Sequence, residues 1–466
     1  MRFIDLFAGL GGFHVALSRN GHECVFASEI DDQLRNLYRQ NFPDYSGPIV
    51  GDIRFSWQDV PDHDILCAGF PCQPFSKSGS QQGVLDSTRG TLFFEILRIL
   101  EFKRPKYLIL ENVGNFERHD NGQTWATVRD CLNYLGYDTR GTEHVTSGGP
   151  GMISPLDLGE PHSRERFFIV GSKQTFLHEP FSSIASVPVK SLDSFLYTRS
   201  SLTAQERSET TLTERQAECI DIWQSIVERL PEGSLPTFPL WSYEWGATYD
   251  FESKTPHATP AFQLSRQLGA SPDLSKRELL KLMPAYARAS VRRFPNWKVS
   301  FIQRNRDWYQ QYKRFIRKQN LEALRSLQPS LQKLEWNSKD GSRNLRQHIL
   351  QFRPSGLRVK KYGHIPSLVA MTTTQIPIIG RKGRFLSRRE GLKLLGFSEH
   401  HALPESLNHA FAALGNGVHV EVVRFVAERV VSLGVGDEYK APLKLFERPT
   451  YEQSMQSYLN ALVLNT

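Results

Sequence analysis

Phe3-Ile4-Asp5-Leu6-Phe7-Ala8-Gly9-Leu10-Gly11-Gly12 opens this chain with a short apolar run that stops at a glycine-rich turn. The run predicts a β-strand, and the apolar residues of 13–17 have the spacing of a helix. Strand, glycine turn and helix in this order begin nucleotide-binding α/β domains, where glycine lets the backbone approach a ligand. The spacing matches neither the dinucleotide motif GxGxxG nor a phosphate loop, so the turn alone could equally be an ordinary tight turn.

Two acidic residues follow the next predicted strands. Glu29 comes after the strand predicted at 24–27, at about the 20-residue distance from the turn where an acid meets ribose hydroxyls. It could instead be an ordinary acid at a helix start. Asp52, in Gly51-Asp52-Ile53, could accept a hydrogen bond from an adenine amino group or only hold a turn. Together these strand ends predict a pocket for an adenosine-type cofactor without a phosphate cradle.

The stretch Gly69-Phe70-Pro71-Cys72-Gln73-Pro74-Phe75-Ser76 ends the apolar run at 65–70. Its prolines stop both strand pairing and helix formation, so Cys72 lies where a buried strand opens into a loop. Open α/β sheets place their chemistry at such points, although a lone cysteine is more often a small buried hydrophobe. The polar, glycine-rich segment 77–90 is either a loop that moves over a substrate or an ordinary surface loop.

Charged residues also flank two later strands. Glu111 directly follows the apolar run Tyr107-Leu108-Ile109-Leu110, where an unpaired carboxylate is costly, so it is a candidate acid. Arg164 and Arg166 precede the strand predicted at 167–170. They are either surface charges or hold an anion or a polarised carbonyl.

Length and composition set the class of the protein. A chain of 466 residues exceeds one ordinary core, so two domains are expected. No apolar run reaches the roughly 18 residues of a membrane helix, and the start lacks a signal-peptide pattern. The five scattered cysteines favour a reducing cytoplasm and predict neither disulfides nor a metal site. The net charge of +8 is only a weak indication of a polyanionic partner.

These motifs, in this order, resemble the DNA (cytosine-5)-methyltransferases of bacterial restriction-modification systems, over about residues 1–172 and 376–433. The resemblance implies a doubly wound, Rossmann-like α/β domain that uses S-adenosylmethionine, with an inserted, smaller DNA target-recognition domain. The expected segments are 1–180 for the catalytic domain, 181–380 for the recognition domain, and 381–466 for the return to the catalytic domain and the tail.

The resemblance also implies roles for individual residues. Cys72 matches the nucleophile, Glu111 the glutamate that engages the cytosine, and Arg164 and Arg166 the paired arginines of a later block. The residues expected around S-adenosylmethionine are Asp5, Phe7, Gly9, Leu10, Gly12, Glu29, Ile30, Asp52, Ile53, Gly69, Pro71, Leu92, Asn416 and Val418. The residues expected to contact DNA are Ser76, Ser78, Arg353, Arg358 and Lys360.

Three features depart from the family pattern. His162 stands where the family usually has glutamine, and Ile30 where some members have an aromatic residue. Residues 147–151 look like an insertion.

The middle of the chain has the composition of a nucleic-acid-binding segment. Residues 261–320 contain 14 Lys and Arg against 3 Asp and Glu, interleaved with aromatic residues that are more typical of a core than of base stacking. Residues 353–360 predict a turn that bears cations, suited to reading a groove. The Ser/Thr-rich stretch at about 180–215 predicts a linker. Ser387 and Glu390 form a capping-box pattern before a helix, and 418–433 reads as a further helix.

The expected activity is methyl transfer from S-adenosylmethionine to C5 of a flipped-out cytosine in a specific double-stranded DNA site, through a covalent adduct on Cys72. A cytoplasmic monomer without membrane contact is expected, and a cognate restriction endonuclease stays an open question. A tRNA cytosine methyltransferase is disfavoured by the long basic insert. An inactive DNA-binding relative is disfavoured by the intact Cys72, Glu111 and arginines. A nicotinamide dehydrogenase is disfavoured by the missing GxGxxG.

Overall fold

The computed structural model describes residues 1–70, 91–142, 152–181, 187–339, 341–369, 373–432 and 435–438. The chain divides into two compact units. Unit 1 comprises Met1–Glu206, Gly363–Thr373 and Ser387–Thr466, and unit 2 comprises Arg207–Tyr362 and Thr374–Leu386. Unit 2 therefore begins later than the segment 181–380 that the sequence suggests for the recognition domain.

The strands and helices follow one another in chain order. The strands are β1 (Arg2–Leu6), β2 (Glu23–Ser28), β3 (Ile49–Val50), β4 (Ile65–Gly69), β5 (Tyr107–Val113), β6 (Asp138–Gly141), β7 (His162–Ser163), β8 (Arg166–Ser172), β9 (Gln174–Phe176), β10 (Leu240–Trp241), β11 (Lys333–Asn337), β12 (Ile349–Arg353), β13 (Gly356–Lys360), β14 (Ile365–Pro366), β15 (Ile378–Ile379), β16 (Arg384–Phe385) and β17 (Val435–Glu438). The α-helices are α1 (Gly12–Arg19), α2 (Asp32–Asn41), α3 (Ile53–Ser56), α4 (Thr91–Lys103), α5 (Gln123–Tyr134), α6 (Ala204–Glu209), α7 (Glu214–Arg229), α8 (Ala261–Leu268), α9 (Lys276–Lys281), α10 (Asn296–Tyr312), α11 (Lys318–Ser326), α12 (Arg388–Leu394), α13 (Leu407–Asn416) and α14 (Val420–Ser432).

Seven of the described strands form the main sheet of unit 1, in the order β3-β2-β1-β4-β5-β8-β6. The first five in this order are parallel to one another, whereas β8 runs antiparallel to both β5 and β6. The strand order reverses between β1 and β4, and ligands of such sheets bind outside the carboxyl ends of the strands at this point. The predicted doubly wound α/β fold is confirmed.

Apolar residues explain how the sheet is covered. Four of the five residues of β1 and of β4 are buried, as expected for strands with helices on both faces. On α4, the apolar residues Phe93, Ile96, Leu97 and Leu100 are buried in the core cluster beside the sheet. The capping box predicted at Ser387 and Glu390 is also confirmed at the start of α12.

The stretch at about 180–215 contains the boundary between the two units, after Glu206, but its described part is not the exposed linker that was predicted. Leu192, Leu196 and Leu202 are buried, and α6 and the start of α7 fall inside the stretch. Ser and Thr residues are common in linkers, but here they alternate with leucines that reach an apolar interior. Burial of those leucines outweighs the polar composition.

Unit 2 combines a sheet with helices. Six of its described strands form a sheet in the order β10-β11-β13-β12-β15-β16. Strands β12 and β13 form an antiparallel hairpin, in which Arg353 pairs with Gly356 across a two-residue turn. A separate apolar cluster, which includes Leu264, Leu279 and Ile302, holds together α8, α9 and the start of α10.

One stretch among the described residues, Leu407–Ser432, is long and apolar enough to cross a membrane by length and composition. In its most apolar window 67% is buried inside the protein, as is common for core helices.

Candidate active site

A cavity of about 590 Å³ lies at the carboxyl ends of β1, β2, β4 and β5, where the strand order reverses. Because parallel strands all end at the same edge, residues that are far apart in sequence meet there. The predicted site residues that line the cavity are Phe7, Gly9, Glu29, Ile30, Asp52, Ile53, Gly69, Leu92, Glu111, Arg166, Asn416 and Val418.

The turn after β1 has an unusual backbone. Phe7 has φ 57°, and Gly9 has φ 54°. A positive φ is easy for glycine but strained for a bulky residue such as phenylalanine, and such strain is concentrated at functional sites. The Ala8 amide donates to the Ser28 carbonyl at 2.9 Å, which fixes the turn against the end of β2.

Glu29 is held in place by backbone amides. Its Oε2 atom accepts a hydrogen bond from the Gly9 amide at 2.8 Å, and its Oε1 atom accepts one from the Asp31 amide at 2.9 Å. Burial raises the pKa of Glu29 above its usual range. Each carboxylate oxygen has a second lone pair, so this acid can still accept hydrogen bonds from ligand hydroxyls.

Asp52 caps the N-terminus of α3 and pairs with Arg54. Its Oδ1 atom accepts from the Arg54 amide at 3.0 Å, and the Arg54 Nη2 atom lies 2.5 Å from its Oδ2 atom. Hydrogen bonding to the Arg54 side chain lowers the pKa of Asp52. The carboxylate therefore stays charged and oriented at the rim of the cavity.

The cavity fits an adenosine-type cofactor by its chemistry. Ile30 is 67% exposed at the cavity wall, an apolar surface that a planar base could cover. Glu29 and Asp52 offer acceptors for hydroxyl and amino groups. Arg166 is the only Lys or Arg among the described lining residues. This scarcity of positive charge suits a cofactor that carries a positive sulfonium and no phosphate.

At the other end of the cavity, Glu111 on β5 meets Arg166 on β8. The Arg166 Nε atom lies 2.8 Å from the Glu111 Oε1 atom. The two groups form an ion pair, although Oε1 is buried and accepts no hydrogen bond from the described residues. Glu111 and Arg166 both line the cavity. Its neighbour Asn112 donates to the Phe70 carbonyl at 3.4 Å and so ties β5 to the end of β4.

Arg164 does not share the position of Arg166. It is 1% exposed, does not line the cavity, and donates through Nη2 to the carbonyls of Gly415 and Gly417 at 2.9 and 2.5 Å. Burial lowers its pKa, although a guanidinium stays protonated in proteins. Arg164 therefore contacts the C-terminal end of α13, where Asn416 lies, and not the cavity in which it was expected to polarise a substrate carbonyl.

Three further residues expected around the cofactor do not line the cavity. Asp5 is fully buried, accepts a hydrogen bond from the Tyr38 hydroxyl at 3.3 Å, and has its pKa raised well above the usual range by burial. Leu10 is 2% exposed. A Cβ atom at Gly12 would lie 2.4 Å from the Val418 side chain, so this glycine serves close packing.

Several residues of the prediction lie outside the described residues. They are Pro71, Cys72, Ser76 and Ser78, together with the segment 77–90 and the insertion at 147–151.

The sequence reasoning missed part of the cavity wall. Pro404, His409 and Ala412, which lie shortly before or within α13, line the cavity beside Asn416. A signal was present, because the expected cofactor residue Asn416 is the last residue of α13, so one face of that helix must approach the same cavity. Ser28 and Leu34 are further lining residues that the strand-end argument could have included.

The residues expected to contact DNA in unit 2 lie on the β12–β13 hairpin. Arg358 pairs with Glu335 on β11, with 2.6 Å between Nε and Oε2, so its guanidinium is already engaged. Arg353 is half-buried at the start of the turn, and its Nε atom is buried without a hydrogen-bond partner among the described residues. Lys360 ends β13.

This chain is similar to known methyltransferases over most of its length. A profile of the family described as C-5 cytosine-specific DNA methylase matches residues 1–432. The Type II methyltransferase M.AluI of Cellulosimicrobium cellulans is 32% identical over 91% of this chain and 90% of its own length. M.HhaI of Haemophilus parahaemolyticus is 47% identical over 36% of this chain and 48% of its own length. The solved structure of the S. pombe Dnmt2 methyltransferase superposes with a TM-score of 0.45 at 18% identity, covering 93% of this chain and 98% of that one.

The profile spans both parts of unit 1 as well as unit 2, and M.AluI is similar over nearly the whole of both chains. The resemblance stated from the motifs is thereby confirmed: this chain belongs to the C-5 cytosine-specific DNA methylase family, the DNA (cytosine-5)-methyltransferases found in restriction-modification systems.

Proposed function

We propose that this protein transfers the methyl group of S-adenosylmethionine to C5 of a flipped-out cytosine in a specific double-stranded DNA site, through a covalent adduct on Cys72. One observation carries the proposal. A single cavity joins the carboxylates Glu29 and Asp52, suited to an adenosine, to the pair of Glu111 and Arg166, suited to a pyrimidine.

The nucleophile assigned by the proposal is Cys72. It follows Gly69, the last residue of β4 and part of the cavity wall, by three residues, which can span at most about 11 Å. Cytosine C5 is a poor nucleophile until the ring is activated. Attack of a thiolate on C6 forms a sulfur–carbon bond and moves electron density to C5.

Glu111 and Arg166 act on the ring during this attack. In its protonated form Glu111 would donate a hydrogen bond to the ring nitrogen N3, an acceptor in cytosine, and so stabilise the charge that develops on attack. Arg166 holds Glu111 and presents its remaining N–H groups to the ring carbonyl. Bound S-adenosylmethionine supplies an electrophilic methyl group. Once C5 carries it, loss of the C5 proton to a base and departure of the sulfur restore the ring.

The depth of the cavity supports base flipping. Glu111 is 7% exposed, and it lies on a central strand of the sheet. A cytosine stacked inside a duplex cannot reach such a group, so the base must leave the helix. The proposal assigns segment 77–90 to covering the extruded base.

Unit 2 is assigned to sequence recognition. Its β12–β13 hairpin carries Arg353 and Arg358, and Arg353 is the better candidate for reading a base because Arg358 already pairs with Glu335. We also propose that the protein is a cytoplasmic monomer. A cognate endonuclease is included because the relatives are Type II methyltransferases.

The proposal is tested by trapping the adduct. DNA that carries 5-fluorocytosine at the methylated site, mapped first by bisulfite sequencing, should form a complex that survives denaturation. Fluorine takes the place of the proton that must leave C5, so the sulfur cannot depart. Cys72→Ser should abolish both trapping and methylation, because serine is barely ionised without an activating base.

Cys67 provides the matched control. It lies in β4, is fully buried, and burial raises its pKa well above the usual range, so it is a core residue rather than a nucleophile. Cys67→Ala should still be trapped. A peptide map that places the adduct on another cysteine, or full activity of Cys72→Ser, would refute the proposed mechanism.

A further inference from the structure

A helical part of unit 2 carries an excess of cations. Residues 249–302 contain α8, α9 and the start of α10 around their own apolar cluster. This segment has nine Lys and Arg against four Asp and Glu. The net charge of this segment is therefore +5, compared with +8 for the entire chain. A local concentration of this kind attracts polyanions.

The cations of this segment are not used to stabilise the fold through ion pairs. Elsewhere in unit 2, Arg306 pairs with Glu244, Arg346 with Asp221, and Arg358 with Glu335. Within 249–302, where every residue is described, no Lys or Arg forms a salt bridge with a described carboxylate. Glu278, one of the four acids of the segment, forms a capping box with Ser275 at the start of α9.

Two of these exposed cations, Arg292 and Arg293, lie in one fixed stretch. We name it the cationic patch and define it as Val291, Arg292, Arg293, Trp297 and the half-buried Lys298. Its backbone is held by Thr255, whose Oγ1 donates to the Val291 carbonyl at 2.5 Å and whose amide donates to the Arg292 carbonyl at 3.1 Å.

Phe294 anchors the same stretch in the apolar cluster, since it is 5% exposed. Arg292 and Arg293, directly before it, are both exposed to solvent.

Trp297 gives the patch an aromatic surface. It is 62% exposed, although tryptophan is usually largely buried, and the Lys298 ammonium lies 5.6 Å from the centre of its ring. Trp308 on the same helix is 6% exposed and belongs to the interior. The aromatic residues of this region were predicted to be core, and Trp297 is an exception, as is Phe262 on α8, which is 68% exposed. An exposed ring between cations can lie against a sugar while the cations hold the flanking phosphates.

We propose that the cationic patch binds the sugar–phosphate backbone of duplex DNA, with Arg292 and Arg293 on phosphates and Trp297 against a deoxyribose. Backbone contacts of this kind strengthen binding to every sequence equally and carry no base information. This role differs from that assigned to the β12–β13 hairpin. The inference deepens the proposed function and rests on it, because it takes duplex DNA as the substrate.

The test measures binding of the full-length protein to two labelled duplexes of unrelated sequence over a range of salt concentrations. Removing two phosphate contacts with Arg292→Gln/Arg293→Gln should reduce the slope of log K against log salt by about 1.8. At 0.1 M salt, binding should weaken about 10- to 60-fold on both duplexes. Arg292→Lys/Arg293→Lys, which keeps the charges, should retain most of the slope.

A matched control removes two exposed cations elsewhere in unit 2. Lys318 and Arg346 lie near Glu322 and Asp221, so Lys318→Gln/Arg346→Gln changes the net charge equally while removing cations that already have partners. This control should keep nearly the parent slope. Trp297→Ala should weaken binding to both duplexes without changing the slope, because it removes apolar contact and no charge.

Three outcomes would overturn the inference. The first is unchanged binding by the Arg292/Arg293 variant with parent-like thermal stability. The second is an equal loss in the control variant, which would reduce the effect to net charge. The third is a loss confined to one sequence, which would indicate base reading. Failure of the proposed function is distinguishable, because then the parent protein itself would bind duplex DNA but leave every cytosine unmethylated.

Discussion

At the scale of single residues, the site depends on how each carboxylate is held: Asp52 and Glu111 pair with arginines, whereas Glu29 is held by backbone amides. Glu29 receives the amides of Gly9 and Asp31, and this arrangement leaves its outer lone pairs for a ligand. The amide of Gly9 belongs to the turn in which Phe7 has a positive φ. The acid therefore does two things at once: it stabilises a strained turn and offers acceptors to the ribose of the proposed cofactor.

Replacing Glu29 by Ala should weaken S-adenosylmethionine binding about 10- to 100-fold in calorimetry, as expected for losing hydrogen bonds to a charged group. Glu23→Ala is the matched control, because Glu23 is an exposed glutamate at the start of β2, the strand that Glu29 follows. Parent-like affinity of Glu29→Ala would show that the adenosine does not lie at this end of the cavity.

At the scale of elements, the two arginines beside β8 show where sequence reasoning is limited. Residues two apart in a strand share a face, so Arg-x-Arg predicts that both side chains enter the same site. However, β8 begins only at Arg166, and Arg164 precedes the strand, where alternation does not hold. Arg164 instead donates to carbonyls at the C-terminal end of α13, which carries Asn416.

Replacing each of the two arginines should consequently have a different effect on activity and stability. Arg166→Met removes the partner of Glu111 and should lower kcat about 10²- to 10³-fold with little change in cofactor affinity. Arg164→Met leaves two carbonyls without a donor and should lower the melting temperature by about 5 °C or more, and weaken cofactor binding.

Steady-state kinetics, calorimetry and thermal melts on both variants make the comparison. Arg164→Lys keeps a donor for the Gly415 and Gly417 carbonyls, so its cofactor affinity should lie between those of Arg164→Met and the parent. If Arg164→Met lowered kcat alone, with stability and cofactor binding intact, Arg164 would have to reach the substrate after all.

At the scale of the whole molecule, the strand ends were the most predictable part. Apolar runs followed by Gly, Glu or Asp indicated the strand ends near Glu29 and Gly69, whereas β5 continues past Glu111 to Val113. The parallel order then brings these positions together. The sequence could not show that Asp5, inside β1, faces Tyr38 instead of the cavity, because that depends on how α2 packs. Nor could it show that the leucines of the presumed linker are buried, because their partners are distant in sequence.

Buried histidines should make the stability of the protein depend on pH. Burial lowers the pKa of His419 to about 3, far below its value of about 6.5 in an unfolded chain. Between these values the unfolded chain binds a proton that the folded protein does not. The contribution of His419 is therefore complete above pH 6.5 and is lost as the pH falls, by about 1.4 kcal/mol per unit.

Urea unfolding at pH 7, 6 and 5 measures this dependence. The free energy of unfolding of His419→Asn should fall less steeply with decreasing pH than that of the parent. His400 is exposed, so His400→Asn should reproduce the parent's dependence. Identical slopes for the parent and His419→Asn would mean that His419 is protonated within the folded protein.

The division of unit 1 into separate stretches of chain affects how the protein is made on the ribosome. Its sheet is complete before residue 207, but Asn416 and Val418 of the cavity wall, and α14, which packs against α1, come from the far end. At ordinary rates of synthesis, the roughly 200 residues between them take on the order of 10 to 40 s to emerge. During that time the nascent chain exposes the apolar surface that α14 will cover and has no finished pocket. Chaperones are therefore expected to bind this exposed surface during synthesis. The cavity, and with it the activity, is completed only when translation is almost over.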